Sequence, residues 1–399
     1  MSTATFALPS RGLRGGLNID GVALALVLSI VLLGLVMVTS ASVSIASREG
    51  DEALAFLQRQ FVLAFTGMVC GALLFCIRPE VIERNSTVLL ALAGALLVIV
   101  LIPGLGHVVN GSRRWIRFAG FNLQASEVAR VLVLIYVASY AVRREAELRE
   151  TFVGLIKPLG ILLGFSLLLL LEPDFGAATV LVVTGFGLLF LAGARLRWVA
   201  ALTLGLAALG AVAVMTAPYR MRRLMTFLDP WADPFNSGFQ LTQSLIAIGR
   251  GEWFGVGLGA SVQKLFYLPE AHTDFLFAVL AEELGLAGVA LTLLLFLGLV
   301  WRVFYIARLA SDAGLKFQSY VAAAFGLWLG IQAFINIGVN MGALPTKGLT
   351  LPLMSYGRSS LLVTLAWFGL VMRVHHDAVA QRRGSATAQR RRAAAGGEE

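Results

Sequence analysis

The chain has 399 residues, 58% of them hydrophobic and 14% charged, with a mean hydropathy of +0.82 and a net charge of +9. Soluble domains carry about 25% charged residues, so this composition excludes an ordinary soluble protein and implies an integral membrane one. The positive charge falls in short clusters between apolar runs, a distribution that fits membrane topology rather than nucleic acid.

Residues 1–20 read as a cytoplasmic N-terminal tail. Arg11 and Arg14 before an apolar run, followed by TSASVSIAS, look faintly like a cleavable signal. Signal peptides carry only about 7–15 apolar residues, and Gly21–Ala41 is longer, so it reads as an uncleaved first span. Runs long enough for the roughly 30 Å hydrocarbon core recur at 21–41, 61–77, 87–106, 126–142, 154–171, 175–193, 198–217, 274–300, 319–341 and 351–374. They predict an all-α integral membrane protein of about ten transmembrane helices over residues 21–374. Both cysteines, Cys70 and Cys76, fall in the second run, which argues against a disulfide framework.

An even number of spans puts both termini on one side. Of the 32 Lys and Arg, 19 lie in the tails and connections on that side and 12 in the connections on the other, so both termini are predicted to be cytoplasmic. Residues 218–273 then form one large extracytoplasmic loop between spans 7 and 8. Residues 375–399, basic and rich in Ala and Gly, read as a disordered cytoplasmic tail able to touch anionic membrane lipids.

The polar residues of the outer connections, in chain order, offer the chemistry. Arg113, Arg114 and Arg117 flank Trp115; they suit either an interfacial anchor or a fork of guanidiniums for phosphate oxygens. Glu127 and Arg130, three residues apart at the start of a span, can neutralise each other on one helix face. In Glu172–Gly176 (EPDFG), Pro173 breaks the helix and Asp174 can cap the next one; the two acids also offer hard oxygen ligands to a divalent cation, though two are too few to define a metal site by spacing.

Asp274 opens the eighth run and has two readings. It is a first-turn acid favoured by the helix dipole, or a carboxylate at the water–lipid boundary placed to take a proton from a hydroxyl. Burial would raise its pKa and nearby cations would lower it. Glu282 and Glu283, two turns on, face a polar interior or accompany close packing at Gly285 and Gly288. Asn336–Ser360 separates the last two spans with Gly, Pro, Thr and Ser, a pattern tolerated near membrane depth where backbone lines a cavity or is buried in protein. Lys347, Thr346, Ser355, Tyr356, Ser359 and Ser360 would line it, with Asn336 and Asn340 as a polar face four residues apart. His375 and His376 have no histidine neighbours in sequence, so zinc is not expected there. Walker, dinucleotide and nucleophile-elbow motifs are missing from the sequence.

Three stretches carry a family resemblance: FLDPWADP with SGFQLTQSLIAIGRGEWFGVGLG, SVQKLFYLPEAHTDFLFAVLAEELG, and NIGVNMGALPTKGLTLPLMSYG. They resemble the SEDS family of bacterial peptidoglycan glycosyltransferases over about Gly21–Val374, and YLPEAHTDF with DPWADP is more similar to its division members than to its elongation members. The resemblance implies a multi-pass enzyme of the bacterial cytoplasmic (inner) membrane at the division septum. Its substrate would be lipid II, which it polymerises into β-1,4 glycan strands with inversion at the anomeric carbon. Its partners would be a class B penicillin-binding protein, an FtsI-type transpeptidase, and other division proteins.

By the same resemblance Asp274 is the catalytic base. Arg113, Arg114, Trp115, Glu127, Arg130, Gln240, Lys264, His272, Thr273, Lys347, Ser355, Ser359 and Ser360 are substrate-binding candidates. Help for the departing pyrophosphate falls to Arg113, Arg114, Lys347 or a divalent cation (Mg or Mn) at Glu172 and Asp174, with no organic cofactor. Three positions depart from the family pattern: Ala125 stands for its Pro, Arg130 for its Lys and Arg358 for its Gly. Two other classes share these features. A lipid II transporter also uses ten helices, intramembrane charges and interrupted spans, and predicts inverted repeats, none convincing here. In a non-catalytic division scaffold Asp274 would be a cap, freely replaced by Asn or Ser.

Overall fold

The computed structural model describes residues 17–49, 54–109, 112–118, 121–215, 221, 225–346 and 348–395. In chain order the helices are α1 (Gly21–Glu49), α2 (Ala55–Cys76), α3 (Pro79–Arg84), α4 (Ser86–Leu101), α5 (Ala125–Arg143), α6 (Glu145–Glu150) and α7 (Phe152–Leu171). They continue with α8 (Phe175–Leu191), α9 (Leu196–Met215), α10 (Phe239–Arg250), α11 (Leu276–Asp312), α12 (Lys316–Asn340) and α13 (Arg358–Ala395). Each apolar run expected as a span overlaps one long helix. Among the described residues six segments are long and apolar enough to cross a membrane: Gly21–Val43, α2, α5, α7, α11 and α12; shorter apolar helices cover Ser86–Leu101, Phe175–Leu191 and Leu196–Gly205.

The chain is helical, with one departure from all-α. The connection after α4 folds as an antiparallel sheet in the order β1 (Gly106–Val109), β2 (Ser112–Phe118), β3 (Phe121–Gln124). Trp115, Ile116 and Phe118 favour extended backbone, and the ladder satisfies polar groups that would otherwise stand unpaired beside the apolar runs. Nor are residues 375–395 structureless; the last four residues of the expected tail, 396–399, lie outside the described residues. Helix α13 continues to Ala395, because Ala, Arg and Gln are strong helix formers and extending an existing helix carries no nucleation cost. Arg382 on it pairs with Asp312 at the end of α11, at 2.8 Å.

Among the membrane-length segments, α5 and α12 are the most enclosed. Helix α12 packs on α5, α8 and α11; α13 lies along α2, and α1 along α11. At the end of the bundle that holds the termini, Asp20 caps Ala23 N–H at 2.9 Å and pairs with Arg302 Nε at 2.9 Å. His376 Nδ1 accepts Asn18 N–H at 3.2 Å, and His375 Nδ1 lies 3.1 Å from Asn18 O, so the two histidines tie the entry of α1 to α13.

Span eight starts at Leu276, just after Asp274, and is broken at Gly285. With φ 62° and ψ −161°, Gly285 occupies backbone that is essentially open to glycine alone. A Cβ there would stand 2.3 Å from Gly255 N. The groups freed by the break are taken by the preceding loop. Val256 N–H donates to Glu282 O (2.9 Å) and Gly257 N–H to Glu283 O (3.1 Å), while Leu286 N–H reaches Glu252 O (2.9 Å) and Ala287 N–H reaches Trp253 O (3.1 Å). The half-helix Leu276–Leu284 is therefore sealed within protein rather than lipid.

Candidate active site

Four connections meet at one end of the bundle. From β2, Arg114 donates through Nε to Glu172 O at 3.0 Å and through Nη2 to Pro173 O at 2.6 Å. Asp174 caps α8 by accepting Ala177 N–H at 3.0 Å, as its position after Pro173 predicts. Its other oxygen accepts from Gln124 Nε2 (3.2 Å) and Ser126 Oγ (3.1 Å). Ser359 staples β3 to α13, accepting Gln124 N–H at 2.8 Å and donating to Asn122 O at 3.0 Å. Tyr356 N–H donates to His272 O at 3.0 Å, and the His272, Tyr356 and Phe56 rings cluster with centroids 5.3–5.5 Å apart.

Asp274 lies in this convergence, partly exposed, two residues before α11. Its backbone carbonyl accepts Asn336 Nδ2 at 2.8 Å and Asn340 Nδ2 at 3.0 Å. Its carboxylate rests against Gly348, where a Cβ would sit 3.2 Å from Oδ2. Among the described residues that carboxylate accepts no hydrogen bond, so Asp274 does not cap its helix. Asn340 does so instead, with Oδ1 accepting Ala278 N–H at 3.2 Å. Burial raises the Asp274 pKa to about 7; the negative charges of Glu270 and Asp174 push the same way and the Arg114 guanidinium opposes them.

Glu172 is fully buried, and neither carboxylate oxygen has a hydrogen-bond partner among the described residues. Burial first, then the charge of Asp174, lifts its pKa to about 8 against the pull of Arg114. Asp274, Asp174, Glu172 and Arg114 therefore share one electrostatic neighbourhood.

Most of the other expected site residues are held by contacts within the protein. Arg130 and Glu127 form a buried ion pair at 2.5 Å, and the Arg130 fork reaches on to Gln332 Oε1 at 3.3 Å, beside the Trp328 ring. Lys264 is buried and pairs with Glu283 at 2.8 Å and with Ser40 Oγ at 3.0 Å, which removes it from the exposed lining. Glu282 accepts from Ser261 Oγ, Val262 N–H and Arg250 Nη1, so both acids anchor the loop ahead of α11. Arg113 donates to Leu101 O at 3.3 Å, Trp115 is half-buried in β2, and Ser355 Oγ accepts Leu351 N–H at 3.0 Å. Thr273 Oγ1 donates to the Glu270 carboxylate at 2.7 Å, Gln240 is exposed on α10, and Ser360 Oγ is buried without a partner among the described residues. Lys347 lies outside the described residues.

Ala125 begins α5 where a Pro would also fit, since the first helical position needs no N–H donor. Arg358, exposed at the start of α13, stands over the Tyr356 ring with its Nε 3.4 Å from the hydroxyl. Sequence reasoning passed over Gln332 and Gly348, and gave Asn336 and Asn340 no partner. The signal was present: Gln332, Asn336 and Asn340 recur every four residues along α12.

The profile of the cell cycle protein family, which comprises FtsW, RodA and SpoVE, matches residues 21–380. The chain belongs to this family. It is 57% identical over 354 residues to the probable peptidoglycan glycosyltransferase FtsW of Thioalkalivibrio sulfidiphilus, covering 88% of each chain. It is 53% identical over 367 residues to that of Methylococcus capsulatus, covering 92% of each. A chain from a peptidoglycan synthase complex that coordinates polymerization and crosslinking superposes with a TM-score of 0.74 at 33% identity, over 91% of this chain and 99% of that one. The rod shape determining protein RodA of Thermus thermophilus superposes with a TM-score of 0.67 at 29% identity, over 90% and 98%.

Proposed function

We propose that this membrane protein is a peptidoglycan glycosyltransferase that polymerises lipid II at the outer face of the bacterial inner membrane during septal wall synthesis, with both termini cytoplasmic. The observation that carries the reading is Asp274: a carboxylate without a hydrogen-bond partner among the described residues, with a pKa raised to about 7. A general base works best with a pKa near the operating pH. The relatives named peptidoglycan glycosyltransferase support the reaction class.

In the proposed step Asp274 accepts the proton of the acceptor sugar's 4-hydroxyl. The oxygen attacks the donor's anomeric carbon, forming the β-1,4 bond, and the bond to undecaprenyl pyrophosphate breaks with its electrons on the pyrophosphate. One in-line displacement inverts the α-linked donor. Arg114 has committed Nε and Nη2 to backbone carbonyls, which fixes its plane; Nη1 has no hydrogen-bond partner among the described residues and would serve a phosphate oxygen. For the divalent cation also proposed here Glu172 is the one free carboxyl of the pair, buried without partners; Asp174 spends both oxygens on Ala177, Gln124 and Ser126, and among the described residues no group of three or more His, Cys, Asp or Glu could hold an ion. Such an ion, Mg or Mn, would offset charge on the pyrophosphate.

A class B penicillin-binding protein of the transpeptidase type is the proposed partner, supported by the resemblance to a complex that couples polymerization to crosslinking. The break at Gly285 does not favour transport, because the protein's own loop already takes the freed backbone groups. Incubation of the purified protein and its partner with fluorescent lipid II and Mg²⁺ should give a glycan ladder that a muramidase digests. Protein-dependent movement of lipid II across liposomes with no ladder would contradict the assignment.

A further inference from the structure

The geometry points to Asn336 and Asn340 as positioning residues that clamp the backbone of Asp274, with Gly348 supplying the gap its carboxylate occupies. The inference rests on Asp274 being the base, and adds how the fold holds it in register.

Helix α12 turns one face toward the site and places an amide on each turn of it. Gln332 Nε2 donates to Thr350 O at 3.1 Å. Asn336 Nδ2 donates to Asp274 O at 2.8 Å and to Leu349 O at 2.6 Å. Asn340 Nδ2 donates to Asp274 O at 3.0 Å and to Asn336 O at 2.8 Å, while its Oδ1 accepts Ala278 N–H. An Asn amide has two N–H donors, and both are used in each case. Asn336 and Asn340 are 2% and 0% exposed, so their amide groups are shielded from solvent.

The amides join two segments that sequence keeps far apart. One ends at Asp274; the other is the Gly348–Thr350 strip, whose backbone the Asp274 carboxylate faces. Asn336 bridges the carbonyls of Asp274 and Leu349 with a single NH₂ group, so the gap between base and strip is set by the width of one amide. Gly348 is exposed, and a methyl group there would meet Oδ2 at 3.2 Å, close enough to displace it by a few tenths of an ångström. Position matters at this scale, since a shift of about 1 Å in a reacting group can lower the rate about 100-fold.

The test reads position and rate separately in the full-length protein with its partner. Asn336→Asp keeps the shape and removes both donors; Asn340→Ala removes the second clamp. Each should lower kcat for lipid II polymerisation at least about 10-fold with KM within about 3-fold. Position is read without activity by placing Asp274→Cys in a background with Cys70→Ala and Cys76→Ala, which keeps the residue-274 carbonyl. A water-soluble maleimide should then label Cys at 274 at least about 5-fold faster or slower when either Asn is replaced, the direction reporting release or occlusion. Labelling unchanged within about 2-fold, or kcat unchanged while labelling shifts, overturns the proposal. If the Asn variants fold poorly, Gly348→Ala leaves both amides in place and should still lower kcat at least about 5-fold; an unchanged kcat overturns it equally. Altered labelling together with a wild-type protein that makes no polymer would reject the glycosyltransferase reading and leave the clamp standing.

Discussion

Asp274 and Glu172 are both acids next to Arg114, yet both have pKa values pushed up, because burial outweighs the cation. For Asp274 the sign of the consequence is opposite for rate and for stability. As the proposed base Asp274 works deprotonated, so kcat should fall about tenfold per unit below pH 6 and level off above about pH 7.5, read from initial polymerisation rates. Stability runs the other way. Between the ordinary 3.8 and about 7, the folded protein holds a proton that the unfolded chain has released, so Asp274 stabilises less as pH rises through that window. Thermal unfolding in detergent should show Asp274→Asn gaining stability over wild type near pH 8 and none near pH 4. Sequence placed Asp274 through its HTDF neighbours. It did not show that the carboxylate has no hydrogen-bond partner among the described residues, because the residue that caps α11, Asn340, lies 66 residues later. The same distance effect misplaced Lys264: its partners, Ser40 and Glu283, come from α1 and α11, and no local pattern announces the pairing.

Hydropathy located the long helices well, since a run of about 20 apolar residues has few alternatives in a membrane. What it missed were elements formed by pairing or continuation, namely the sheet Gly106–Gln124 and the extension of α13 to Ala395. It also missed the break in α11, because a lone glycine in an apolar run leaves hydropathy unchanged. That break demands glycine. Gly285→Ala would add about 1–3 kcal/mol of backbone strain besides the contact with Gly255, and should lower the unfolding temperature. Around the break, Lys264→Met leaves Glu283 as a buried unpaired charge, expected to cost about 3–5 kcal/mol, whereas Lys264→Met with Glu283→Leu should recover much of it. A double-mutant cycle in thermal stability checks this; a loss in the double variant equal to the sum of the two single losses would show that the pair contributes nothing.

At the scale of the molecule, the site exists because connections separated by up to 250 residues close on one end of a helical bundle, with Arg114, Asp174, Asp274, Asn336 and Ser359 each supplied by a different stretch. The charge bias of the loops is the ground for the proposed sidedness, and the resemblance made the reaction class legible; the contacts between loops were not legible. If that end faces outward, a reporter enzyme active only outside the cytoplasm should work when inserted at Asn236 and fail when fused after Gly384. The reverse pattern would turn the protein over and remove the site from its substrate's side. Whether Asp274 is the base of lipid II polymerisation is read from initial polymerisation rates of wild type and Asp274→Asn, each folded and bound to the same partner, at pH 8. The expected loss is about 100- to 10,000-fold in a protein at least as thermostable as wild type. Polymer made at the wild-type rate by that variant would contradict that assignment.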